Sequence, residues 1–171
     1  MHHSWYAVDV GEARGEPVLP VRFYRTDGGN EPVEEGHPLA KFVIGPDVAL
    51  RLAREQIVVA GEHQLLAPTL MGSQLLALLF RAVHDSEMDR RIADGHLDFV
   101  RGLRVRLLGD RVLQRVAWTM AERLGWSDTI DAEYVALVHL QADAPVTLDA
   151  RLASAAASLV AVEPYATLAT A

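Results

Sequence analysis

From Lys41 onward, short β-type runs alternate with helical stretches, and this alternation leaves the chain few architectures. Phe42-Val43-Ile44, Leu65-Leu66-Ala67, Val105-Arg106-Leu107-Leu108, Pro145-Val146-Thr147-Leu148 and Leu159 to Val162 read as strands. Residues 47–60, 69–84, 87–101, 111–124, 130–141 and 150–158 read as helices between or after them. A helix between two strands returns the chain to the end it started from, so neighbouring strands run parallel. A parallel sheet is covered on both faces. The expectation is an α/β fold with a central parallel sheet of about five strands. The run Leu75 to Phe80, "LLALLF", makes the helix over 69–84 apolar nearly all round, which predicts a central, buried helix. Asp110 and Gly125 read as the cap and the stop of the helix over 111–124.

Residues 1–40 differ in composition. They hold Pro17, Pro20, Pro32 and Pro38, the turn "TDGGN", and the acidic residues Glu31, Glu34 and Glu35. Two short strands, 5–10 and 18–24, predict a hairpin followed by a linker. The division expected is thus an N-terminal extension over 1–40 and an α/β domain over 41–171. The acidic run is a candidate cover for the strand ends of that domain.

The chain has no cysteine, so disulfides, thiolate zinc sites and cysteine nucleophiles are excluded. Its net charge of −7 gives no overall attraction to nucleic acid, and any RNA contact needs a local basic patch or a bridging metal. The longest apolar run is far shorter than a membrane span, and the start shows no basic region followed by an apolar core. A cytoplasmic location and no membrane partner are the expectations.

Ligands of an open parallel sheet gather beyond the carboxyl ends of its strands. The polar residues there are Asp47 after the first strand, Thr69, Ser73 and Gln74 after the second, Asp128, Thr129 and Asp131 before the fifth helix, and Thr147 and Asp149 after the fourth strand. Converging carboxylates of this kind suit magnesium or manganese, which prefer hard oxygen ligands. Each acid also has a simpler role, because Asp47, Asp131 and Asp149 all stand at helix starts, where a carboxylate meets free N–H groups.

The segments "QLLAPTLMGSQLLALLFRAV" (64–83) and "DTIDAEYVALVHLQADAPVTLDARLA" (128–153) resemble a PIN domain, close to the VapC-type toxins. The resemblance runs from about Lys41 to Pro164. It implies a Rossmann-like α/β/α sandwich, a magnesium- or manganese-dependent ribonuclease, a homodimer and a paired antitoxin. The family site uses four acids. Asp131 in "TIDAEYVAL" matches the third, and Asp149 in "VTLD" the fourth, with Thr147 as its hydroxyl neighbour; these are the implied catalytic residues. The first position is Gly45 and the second is Gln74. The implied metal ligands are therefore Asp131 and Asp149, with Asp47 as a third if it swings inward. Glutamine brings no charge and glycine no ligand, so metal affinity and activation of water both fall. Two readings follow: a weak metal-dependent ribonuclease, or a non-catalytic PIN-fold module used for binding or assembly.

Other motifs carry less. The histidines lack the i, i+4 spacing of a helical metal site, Ser73 lacks the frame of a hydrolase elbow, and Lys41, the only lysine, is in no P-loop. The arginines over 90–115 read as a solvated face paired with Glu87, Asp89, Asp94 and Asp98. Trp118, Trp126 and Tyr134 read as core or interface residues.

Overall fold

The computed structural model describes residues 6–7, 23–24, 40–61 and 63–169. The chain divides into two units, Met1–Pro38 and Leu39–Ala171. In the first, β1 (Tyr6–Ala7) pairs antiparallel with β2 (Phe23–Tyr24). This matches the open end of the expected hairpin, away from its turn. The rest of that hairpin, and the acidic run offered as a cover, lie outside the described residues.

The second unit is built on β3 (Ala40–Ile44), α1 (Pro46–Glu55), β4 (His63–Pro68), α2 (Met71–His84), α3 (Arg90–Gly102), β5 (Arg106–Leu108), α4 (Arg111–Leu124), α5 (Ile130–Gln141), β6 (Ala144–Val146) and α6 (Ala150–Ala156). The four strands are parallel in the order β5-β4-β3-β6. The chain therefore moves outward from β3 to β4 to β5, then crosses back to place β6 on the other side of β3. Right-handed crossovers in opposite directions put their helices on opposite faces of a sheet. Accordingly α1, α2 and α3 pack with one another, while α5 packs with α4 and lies along β3, β4 and β6. The layering is consistent with a Rossmann-like α/β/α sandwich. The crossing direction reverses at β3, so the crevice between the carboxyl ends of β3 and β6 is the switch point where such sheets take ligands.

Local chemistry explains the element ends. Gly45 is the N-cap of α1, and Pro46 follows at the first helical position, where a missing N–H costs nothing. The helix ends at Gln56 in the left-handed region, short of the expected residue 60. Asp110 accepts the Leu113 N–H and caps α4, and Gly125 ends that helix with φ +66°.

Two expectations are corrected. Leu159 to Val162 does not form a fifth strand. The N–H groups of Leu159 and Val160 both turn back to the carbonyl of Ala156, prolonging the end of α6, and only Glu163 reaches the edge of β6, through a single parallel bridge to Val146. The central helix is α5 rather than α2. Six of its residues are buried, Ala132 and Tyr134 to Val138, whereas α2 buries only Met71, Leu75 and Leu79. Leu76 and Phe80 on α2 are 58% and 70% exposed. No helix among the described residues is long and apolar enough to cross a membrane.

Among the remaining side chains, Arg90 pairs with Asp94 and Arg101 with Asp98 on the exposed face of α3, as expected for a solvated helix. Trp118 is exposed and donates its ring N–H to Glu122, while Trp126 packs half-buried against the core.

Candidate functional site

A cavity of about 390 Å³ opens at the switch point, lined among others by Gly45, Asp47, Gln74, Asp131, Tyr134, Thr147 and Asp149. Asp47, Gln74, Asp131, Thr147 and Asp149 are thus brought together as the sequence suggested, whereas Thr69, Ser73, Asp128 and Thr129, also read at strand ends, do not line this cavity. Their bonding is what sequence reasoning could not supply.

Asp47 is the second residue of α1, where its charge suits the helix dipole, but its hydrogen bonds go outside that helix. Its Oδ2 accepts the backbone N–H of Leu148 at 2.8 Å and the hydroxyl of Thr147 at 3.2 Å. The pairing of Ile44 with Val146 sets this reach, because it lines up the ends of β3 and β6 and leaves the two following loops side by side. The simple capping role expected for Asp47 is thus replaced by a clasp between the loops after β3 and β6. Its other oxygen, Oδ1, fills the space beside Gly45: a Cβ at position 45 would stand 2.5 Å from it. Asp47 occupies the volume that a side chain at 45 would need.

Thr147 is also fully engaged. Its hydroxyl donates to Asp47 and accepts the N–H of Asp149 at 3.1 Å. Asp149 is the N-cap of α6, with Oδ1 accepting the N–H groups of Arg151 and Leu152 at 2.8 and 3.1 Å. The capping role holds for Asp149. Asp131 stands in the first turn of α5, where Asp128 accepts the first N–H, so Asp131 is left free to face the cavity. Its Oδ2 lies 2.6 Å from Nη2 of Arg151, and the same nitrogen is 3.6 Å from Oδ2 of Asp149. Arg151 was not singled out from the sequence. The available signal was a cation in the first turn of a helix, a position the helix dipole disfavours without acids nearby.

Gln74 and Tyr134 close the other wall. The Tyr134 hydroxyl donates to Gln74 Oε1 at 2.5 Å. Tyr134 is 5% exposed, and burial holds its phenol well above the usual tyrosine range, with the charges of Asp47, Asp131 and Glu133 adding to the effect. The hydroxyl therefore stays protonated and remains a donor. A raised folded pKa contributes stability that is complete below the unfolded value of about 10 and is lost as pH rises through the folded one. In an alkaline titration followed by tyrosinate absorbance, Tyr134 is expected to ionise only as the domain unfolds, and Tyr134→Phe is expected to shrink that late step by one tyrosine, leaving Tyr165, which burial and its bond to Glu55 push up to about 12. A Tyr134 that titrates freely near pH 10 in the folded domain would contradict the placement. Burial also raises the carboxyl of Glu133 above its ordinary range.

No group of three or more histidines or acids converges closely enough to hold a metal ion among the described residues. His63 packs edge-on against Phe42, and burial lowers the pKa of His96. Neither lines this cavity.

No family model matches the chain. No curated protein matches it either. Among solved structures, the crystal structure of PAE2754 from Pyrobaculum aerophilum aligns with a TM-score of 0.60 at 19% identity, covering 76% of this chain and 93% of that one. At that identity the likeness bears on the fold alone.

Proposed function

We propose that the chain is a PIN-like domain that has given up metal-dependent ribonuclease chemistry and serves as a binding and assembly module. The observation that carries this reading is the way the polar groups of the switch-point cavity satisfy one another. Asp47 is engaged by Thr147 and Leu148, Gln74 by Tyr134, and one oxygen of Asp149 by two backbone N–H groups. Magnesium and manganese bind where several anionic oxygens are directed at one point. Here position 45 has no side chain, position 74 has a neutral amide already bonded, and Asp131 faces a guanidinium. On this reading the donor set does not fit a hard divalent cation, and no hydrolytic step is routed through one.

The test is cleavage of several structured RNAs with millimolar manganese. The expected result is no cleavage above buffer. Cleavage that disappears in Asp131→Asn would overturn the reading and return Asp131, Asp149 and Thr147 to catalytic roles. An RNA substrate and a blocking antitoxin are partners of that catalytic reading.

A homodimer is the assembly this reading favours, through the outward side of α2. Leu76 and Phe80 lie one turn apart on the helix, and Phe80 stacks on His84, giving an apolar strip on a surface helix. Light scattering on the full chain is expected to give twice the chain mass, and Phe80→Glu to give the single mass without loss of helical signal. A monomeric parent, or a dimer untouched by Phe80→Glu, would rule out this face.

A further inference from the structure

We infer that Arg151 is a self-supplied counter-ion, its guanidinium standing between Asp131 and Asp149 in place of any external cation. The inference deepens the proposed function and rests on it, because it names what replaced the cation in the cavity.

Three observations meet at this residue. First, one nitrogen of Arg151 lies 2.6 Å from Asp131 Oδ2 and 3.6 Å from Asp149 Oδ2, so a single positive charge faces two carboxylates on different elements. Second, the pairing is non-local: Asp131 begins α5 and Arg151 is in the first turn of α6, twenty residues on. Within its own helix a cation in the first turn is disfavoured by the dipole, so the location is explained by the acids opposite and not by helix chemistry. Third, the arginine side chain is 64% exposed. It reaches the pair from the solvent side and is not locked by packing, so it can be exchanged for another cation when its charge is removed.

The consequence is a competition. While the guanidinium is present, an incoming divalent ion must displace a charge-assisted hydrogen bond and is repelled by the guanidinium's own charge. The arginine is permanently charged, so pH near neutrality does not release it; its pKa is raised further by the hydrogen bond and charge of Asp131 and by the charge of Asp149. Without Arg151, Asp131 and Asp149 are left facing the cavity with no cation to balance them, while Asp47 stays bonded to Thr147 and Leu148. A divalent ion then meets less opposition at this pair than it does in the parent.

The experiment is calorimetric titration of Mn2+ into the full chain and into Arg151→Gln, with thermal unfolding followed in parallel. Arg151→Gln is expected to bind Mn2+ at least about tenfold more tightly than the parent, equivalent to about 1.4 kcal/mol, and to unfold at a higher temperature when Mn2+ is added. The parent is expected to show no such rise. If Arg151→Gln is folded only with Mn2+ present, the inference is equally supported. If it does not fold at all, Arg151→Lys decides: a lysine keeps the charge but lacks the planar fork, so it should bind Mn2+ more tightly than the parent. Equal Mn2+ affinity of the parent and the folded variants would overturn the inference. RNA cleavage by the parent would instead sink the proposed function, so the two failures are distinguishable.

Discussion

Replacing Asp47 by alanine is expected to lower the stability of the α/β unit by about 2 kcal/mol, the usual cost of losing hydrogen bonds to a charged acceptor. Asp47 joins the start of α1 to the loop after β6 by accepting from the Leu148 N–H and the Thr147 hydroxyl. Alanine leaves both donors without that partner and reopens the space beside Gly45. Relief of repulsion from Asp131 and Asp149 opposes the loss, but those two already share Arg151, so the hydrogen-bond term is expected to prevail. Asp47→Asn keeps an acceptor and loses the charge, and should cost about half as much. Urea unfolding reads both, as a lower midpoint with an unchanged slope. An Asp47→Ala variant as stable as the parent would mean that the clasp contributes nothing and that Asp47 is a surface carboxylate.

The second large effect concerns rebuilding a four-acid site. Gly45→Asp with Gln74→Glu restores the acids that the family resemblance assigns to those positions, yet it is expected to fail as a metal site while Asp47 remains. A Cβ at 45 would meet Asp47 Oδ1 at 2.5 Å, so the Asp47 carboxylate must shift and strain its bonds to Thr147 and Leu148. The new carboxylate would also face that of Asp47. Adding Asp47→Ser removes the obstruction and leaves a hydroxyl in its place. The triple variant is expected to bind Mn2+ at least about tenfold more tightly than the double variant, a difference of about 1.4 kcal/mol. If the double variant already binds as tightly as the triple one, Asp47 does not fill the position beside Gly45.

What the sequence disclosed was mostly local chemistry. Asp110 and Gly125 bracket α4 and Asp149 caps α6, because caps depend on residues within a turn of one another. The strand ends around the cavity were legible too, since they can be read from apolar runs that stop at turn residues, but the strand order that makes one of them the switch point was not. Burial was not. Both α2 and α5 are rich in apolar residues, and composition alone does not say which lies against the sheet. The packing leaves Leu76 and Phe80 of α2 outside and encloses Val135 to Val138 of α5. Leu159 to Val162 misled for a related reason, as four apolar residues suit a strand or the end of a helix equally well.

The candidate site shows the same division. Its members could be listed from strand ends, but their partners are set by non-local pairings: Asp47 with Leu148 through the alignment of β3 and β6, Tyr134 with Gln74 across two helices, Arg151 with Asp131 from α6 to α5. A carboxylate in the first turn of a helix is equally suited to capping and to reaching outward. Only the three-dimensional register decides, and at Asp47 it decides for reaching outward.

The central claim is that the switch-point cavity is held together by the chain's own groups, without a metal. Calorimetric titration of Mn2+ into the unmodified full chain tests it most directly. The account predicts no saturable binding at millimolar Mn2+ and no shift in the unfolding temperature. Tight one-to-one binding that raises that temperature and is lost in Asp131→Asn would contradict it.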